Sequence, residues 1–241
     1  MPSSSPQTDP AGTSEKILRS AAELMRSAGI DALSTRTVAA AAGVAPPVIS
    51  RQFGSKKRLL DATTQFVFER YIAEKRTLMA NSADPLCDLE RLWDLHVDFA
   101  LTNPQCWMLA YVRRVPGAVS GCAAQTFALL QQVVARLGNQ GRLRVSVERA
   151  TGLIRSAAMG VVLALMPLPA LDRDLRISRN LRDSTLSAII HHDEKLQATS
   201  PDISSRAAAL HQEMCGSYEV GLSSAERSLL GEWLIRLADN A

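Results

Sequence analysis

Aromatic side chains make up only 5% of this 241-residue chain, and its four cysteines (Cys87, Cys106, Cys122 and Cys215) are too widely spaced to form a Cys-x-x-Cys pair. The spacing argues against a zinc ribbon and against a disulfide framework, leaving inert thiols in a reducing cytoplasm as the expectation. No long hydrophobic run is present. The longest uncharged apolar stretch, Ala157–Leu171, has 15 residues and contains Pro167 and Pro169. A membrane span needs about 20 residues, so this stretch reads as a buried helix and the loop after it, with no membrane partner. The start, Met1–Gly12, has neither the basic nor the apolar region of a signal peptide. Catalytic motifs are also missing. There is no Gly-x-Ser-x-Gly elbow, no His-Glu-x-x-His, no phosphate loop and no paired-carboxylate pattern, so neither catalytic nor metal-ligating residues are assigned and no cofactor is expected. His191-His192 beside Asp193-Glu194 does not change this, because adjacent residues point to different sides of a helix.

The chain is instead rich in Ala and Leu, both strong helix formers. Its net charge is +3, unevenly spread. Residues 1–60 hold eight Lys/Arg against four Asp/Glu, and the remainder holds 19 against 20. A basic head on a near-neutral body suits a polyanion touched by the head alone.

The Ser/Pro/Thr-rich residues 1–12 are expected to be a disordered tail. Thr13 or Ser14 can cap a helix that runs to about Ala28, with Ile17, Ala21, Leu24, Met25 and Ala28 along one face. Gly29 stands where a left-handed cap is preferred. Ser34 or Thr35 caps a short helix from Arg36 to Ala42, ended by Gly43. Pro46 and Pro47 fit only the first turn of a third helix, to about Gln52, and Ser55 caps a fourth from Lys56 to about Met79. Helices are then expected at about 86–102, 104–115, 120–138, 146–166, 178–192, 203–215 and 224–239. No alternating apolar run suggests a sheet, so the fold class is all-α.

Residues 37–53 read Thr-Val-Ala-Ala-Ala-Ala-Gly-Val-Ala-Pro-Pro-Val-Ile-Ser-Arg-Gln-Phe. A helix-turn-helix crosses two short helices closely through a tight turn. It needs a small residue at the crossing (Ala39), a residue tolerant of positive φ in the turn (Gly43), and apolar anchors (Val38, Val44, Val48, Ile49). Every slot is filled. With the amphipathic helix before it and the stretch Phe53-Gly-Ser-Lys-Lys-Arg-Leu-Leu60 after it, residues 13–62 resemble the tetracycline-repressor (TetR) family of regulators. The Lac-repressor family shares the Val-Ala-x-x-Ala-Gly-Val core, but places it at the extreme N-terminus before an α/β domain.

The resemblance implies a three-helix DNA-binding domain at 13–60 and a larger helical ligand-binding and dimerisation domain at 61–241. The third helix would enter the major groove of a double-stranded operator, presenting Pro46, Pro47, Val48, Ser50, Arg51 and Gln52. Thr35, Arg36, Ser55 and Lys56, at two helix starts, would hold phosphates, as free N–H groups and a positive dipole end favour. The reading helix departs from the family: Ala45 replaces the usual Ser/Thr cap, Ser50 an aromatic, and Gln52 an aromatic or His. The function implied is a cytoplasmic, homodimeric regulator, a repressor released by a small apolar or amphipathic effector. Candidate effector residues are Trp93, His96, Trp107, Tyr111, Phe127, Gln131, Arg155 and Met159, since aromatics with a few polar groups suit a ligand site, although a core needs the same aromatics. The helix at 146–166, apolar around much of its girth and rich in small residues, is the leading dimer element, with 178–192 or 224–239 as its partner. A helical protein that binds another protein rather than DNA is the second reading.

Overall fold

The computed structural model describes residues 10–80, 83–112, 120–191, 203–215 and 221–239. Eleven α-helices account for most of them: α1 (Pro10–Ala28), α2 (Thr35–Ala42), α3 (Pro46–Phe53), α4 (Lys56–Ala80), α5 (Pro85–Thr102), α6 (Pro104–Tyr111), α7 (Gly121–Asn139), α8 (Val147–Leu165), α9 (Leu175–Ile189), α10 (Ile203–Cys215) and α11 (Ser224–Asp239). Single 3-10 turns stand at Ile30–Ala32 and Ala170–Asp172. The only extended pairing among the described residues is an isolated bridge between Leu143 and Ile190.

Local chemistry explains the boundaries. Ser34 caps α2, its Oγ accepting from the Thr37 N–H at 3.0 Å while Thr37 Oγ1 accepts from the Ser34 N–H at 2.9 Å. This reciprocal box satisfies two otherwise orphaned donors. Ser146 caps α8 and Asp174 caps α9 in the simpler one-bond form. Helix α1 begins three residues inside the stretch expected to be a tail, at Pro10, because proline suits a helix's first turn. Residues 1–9 of that stretch lie outside the described residues. The left-handed cap expected at Gly29 is not formed. Its φ of 80° is positive, but its ψ of 176° sends the chain out extended toward the 3-10 turn. The helix expected over 104–115 stops at Tyr111, and 113–115 lie outside the described residues, as does His192 at the expected end of α9.

Two compact units divide the chain, one of residues 1–74 and 102–125, the other of residues 75–101 and 126–241. The division passes through α4, and α6 packs against α1 in the first unit.

In the first unit, Ile17, Ala21 and Met25 of α1 meet a core that includes Leu33, Val38, Ala39, Ala42, Ile49 and Leu59, each with at most 1% of its surface exposed. Phe68 packs edge-on to Tyr71, and Trp107 and Tyr111 stack one turn apart with ring centres 5.1 Å apart. In the second unit, α8 packs on α9 and α10 on α11. The α10–α11 hairpin has its own small core of Ala207, Ala208, Met214, Leu234 and Ala238. Asp239 at the end of α11 accepts from the Ser146 backbone at 2.9 Å, tying the hairpin to the start of α8.

Candidate nucleic-acid interface and effector residues

The α2–α3 crossing has the form its sequence requires. Gly43 ends α2 at φ 60°, ψ 41°, the left-handed conformation that side chains disfavour. The Val44 N–H returns to the Ala39 carbonyl at 3.0 Å, closing the turn. Ile49, 1% exposed, anchors α3, while Val48 is half-buried. Around that anchor Pro46, Pro47, Ser50, Arg51 and Gln52 are all exposed. So are Thr35 and Arg36 at the start of α2, and Ser55 and Lys56 at the start of α4. Ser55 Oγ accepts from the Arg58 N–H at 3.2 Å, so its hydroxyl serves as the helix cap. Ala45 makes no side-chain cap for α3 despite a backbone conformation suited to one.

Electrostatics sharpen the picture beyond the bulk count. Two acids of the head, Glu15 and Glu23, are engaged on α1 by Arg19 and Arg26. Between residues 32 and 60 the sequence holds Arg36, Arg51, Lys56, Lys57 and Arg58 and no Asp or Glu. None of these five forms an ion pair among the described residues. Exposed cations not neutralised by neighbours are what a phosphate backbone attracts.

The expected effector residues fall in both units. Trp107 and Tyr111 belong to the first, Trp107 fully buried and Tyr111 half-buried beside Phe68. The other six belong to the second. Trp93 is 3% exposed and its indole N–H donates to Ser178 Oγ at 2.9 Å, so its polar group is already engaged within the fold. Phe127 and Gln131 share a face of α7 and are half-buried, as is Met159 on α8. Arg155 is exposed, with its guanidinium 5.1 Å from the centre of the Phe127 ring. His96 is half-buried, and burial, with the nearby Lys75 charge, pulls it down to about 3. The imidazole is therefore neutral at physiological pH.

Two features were missed from the sequence. A groove of about 360 Å³ runs between α5 and α9, lined by Asp94, Val97, Asp98, Leu101, Leu175, Ser178 and Arg179, none of them an expected effector residue. Lys75 was also missed, although it continues the face made by Phe68, Tyr71 and Ile72 at helical spacing, a register in which a lysine is out of place. It is 4% exposed, and burial pulls its ammonium down to about 7. Among the described residues no cluster of His, Cys, Asp and Glu suits a metal ion, and no helix is long and apolar enough to cross a membrane. His192, Asp193 and Glu194 lie outside the described residues.

Comparison with known proteins places this geometry. The family model described as "Bacterial regulatory proteins, tetR family" matches residues 17–63, which span α1 through the start of α4. No curated protein matches the sequence. Among solved structures, a protein of unknown function from Rhodococcus sp. RHA1 is 19% identical with a TM-score of 0.65, the match covering 78% of this chain and all of that one. The transcriptional regulator FadR from Bacillus subtilis, in complex with stearoyl-CoA, is 15% identical with a TM-score of 0.61, over 73% of this chain and 98% of that one. SmeT in its triclosan complex is 21% identical with a TM-score of 0.56, over 75% and 93%. These likenesses show the all-α fold, and the match over residues 17–63 identifies a DNA-binding helix-turn-helix domain of the tetracycline-repressor family, the domain of a transcriptional regulator.

Proposed function

We propose that the chain is a homodimeric, cytoplasmic repressor that a small apolar or amphipathic effector releases from its operator. In this reading residues 13–60 are the DNA-binding domain and 61–241 the regulatory and dimerisation domain. Helix α3 reads base edges in the major groove through Pro46, Pro47, Val48, Ser50, Arg51 and Gln52. Thr35, Arg36, Ser55 and Lys56 fix the register on phosphates. The observation that carries it is the exposed α3, held by one buried anchor amid basic side chains that no acid neutralises.

Dimerisation supplies two reading heads for half-sites about 34–36 Å apart or a multiple of that. Helix α8, paired with α9, is the proposed interface. Leu153 and Leu163 on α8 and Leu175, Ile177 and Leu181 on α9 are exposed, more apolar surface than a lone helix pair normally leaves to water. Added side chains at Gly152 and Gly160 would meet nothing, so that face of α8 is open to a close neighbour. The relatives in complex with stearoyl-CoA and triclosan support an effector of amphipathic character. Its candidate residues in the second unit are Trp93, His96, Phe127, Gln131, Arg155 and Met159. An effector that binds one head spacing better than another shifts operator affinity by that difference.

A gel shift against the DNA flanking the chain's own gene tests the reading. Specific binding should weaken steeply with salt as counterions are released. Binding to a protein partner with no DNA affinity would favour the second reading instead.

A further inference from the structure

The groove between α5 and α9 lies within a single compact unit, and at about 360 Å³ it has the size of a small-molecule site, roughly 300–1,000 Å³. Its walls are two helical stripes. Asp94, Val97, Asp98 and Leu101 follow one another at three- and four-residue spacing on α5, as Leu175, Ser178 and Arg179 do on α9. One end is pinned, where Trp93 donates to Ser178 and Arg182 pairs with Asp94. Val97 is buried and Leu101 half-buried, while Leu175 leaves 51% of its surface exposed. Leu175 and Arg179 face away from Ile177 and Leu181, since residues two apart on a helix are about 200° apart around its axis. A second copy seated on the proposed dimer face therefore leaves the groove open.

The charges around it are unevenly committed. Asp94 is taken by Arg182 at 2.9 Å. Arg179 has a counter-charge in Asp174, whose carboxyl Arg176 and, more weakly, Arg179 hold down to about 2. Asp98 is exposed and makes no hydrogen bond or ion pair among the described residues. One uncompensated negative charge thus stands over an apolar floor. Ser178 adds an acceptor, because its oxygen takes the Trp93 N–H and keeps a second lone pair.

We infer that this groove binds an amphipathic organic amine, its ammonium on the Asp98 carboxylate and its hydrocarbon body over Val97, Leu101 and Leu175. A protonated primary amine has three donors, enough for Asp98 and Ser178 together. A carboxylic acid would bring a like charge against Asp98, and a second cationic centre would find no free carboxylate. None of the lining residues is among the effector residues proposed above, so this is a separate site.

The test uses the full chain and measures binding of 4-phenylbutylamine, 4-phenylbutan-1-ol and 4-phenylbutanoate by calorimetry at low ionic strength. The amine should bind about five-fold or more tighter than the alcohol, and the butanoate most weakly. By NMR, the amine should move the indole N–H signal of Trp93, assigned with Trp93→Phe, and spare that of Trp233. Asp98→Asn, at an exposed position with no partner to lose, should fold normally and bind amine and alcohol alike. Leu175→Ser should weaken both and keep their ratio, and Glu15→Gln, an acid of the other unit, should change neither. No binding of the amine, equal affinity for amine and alcohol in the wild type, or tighter binding of the butanoate would each overturn the site. So would an unchanged preference in Asp98→Asn, unchanged affinities in Leu175→Ser or an unmoved Trp93 signal. DNA takes no part in these measurements, so their failure leaves the repressor reading standing, and the failure of that reading leaves the amine site standing.

Discussion

Trp93 on α5 and Ser178 on α9, 85 residues apart in sequence, are joined by an indole-to-hydroxyl hydrogen bond of 2.9 Å in which both partners are buried. One turn further along α9, Arg182 pairs with Asp94, the next residue on α5. The two contacts differ in weight. Asp94 is well exposed, so its ion pair is screened by water and contributes little. The buried bond is the determinant of where α9 lies on α5. Replacing Ser178 with Ala leaves the indole N–H buried without an acceptor, which costs about 1–3 kcal/mol. Urea unfolding of Ser178→Ala should show that loss, while Asp94→Ala should shift stability by less than about 1 kcal/mol. Equal effects would mean that the buried bond does not position α9.

A similar asymmetry exists within one ion pair. Asp88 is fully buried, and Arg136, with 36% of its side chain exposed, reaches it at 2.7 Å. Removing the guanidinium strands a carboxylate in the interior, so Arg136→Met should destabilise by about 3–5 kcal/mol. Asp88→Leu removes the buried charge and leaves an arginine that can turn to solvent, and its loss should be clearly smaller. Denaturation midpoints of the two variants decide the order.

Helix α3 begins at an alanine where its geometry accepts a cap. Ala45 has the extended backbone of an N-cap and makes no side-chain bond. Ala45→Ser should therefore stabilise the chain by about 0.5–2 kcal/mol. At the other end of the turn, Gly43→Ala places a Cβ at φ 60° and should cost about 1–2 kcal/mol. Thermal unfolding of the two variants should move in opposite directions.

Much of this was legible in the sequence, for identifiable reasons. Gly43, Pro46 and Ser55 are punctuation whose effect is local, so α2, α3 and α4 begin or end within a residue or two of expectation. Ile17, Ala21 and Met25 mark the buried face of α1 by spacing alone. The groove between α5 and α9 was not legible, because it is made by residues about 80 apart whose meeting depends on Trp93 finding Ser178. Lys75 was hidden for a different reason. A single cation in an apolar register reads as the edge of a face, and only its burial distinguishes it. For α8, small residues suggested close approach, and the structure finds α9 packed on it in the same chain.

Contacts to DNA should separate by role. Lys56 stands exposed at the start of α4; with the phosphate role proposed for it, Lys56→Ala should weaken binding similarly for all sequences and lower the salt slope by about 1. Arg51 lies on the exposed face of α3. Arg51→Ala should alter which bases are preferred at one position, with a penalty of about 1–3 kcal/mol there. Binding across a set of operator variants at several salt concentrations distinguishes the two. An Arg51→Ala variant that only lowers the salt slope would place Arg51 on the backbone instead.

Burial of Lys75 also imposes a pH dependence whose sign is fixed. The ammonium falls from its ordinary 10.5 to about 7 in the folded chain. Between those values the unfolded chain holds a proton that the folded chain does not, so stability declines as pH falls through the window, by up to about 1.4 kcal/mol per pH unit. Below about 7 both states are protonated and this contribution levels off at its least favourable. His96 acts in a lower window, from 6.5 down to about 3, and again acidification destabilises. Urea midpoints of the wild type and Lys75→Met, measured without effector from pH 6 to 10, should therefore converge as pH rises, with Lys75→Met the more stable at the acidic end. Parallel curves would mean that Lys75 keeps its ordinary titration in the folded chain and that its burial carries no electrostatic penalty.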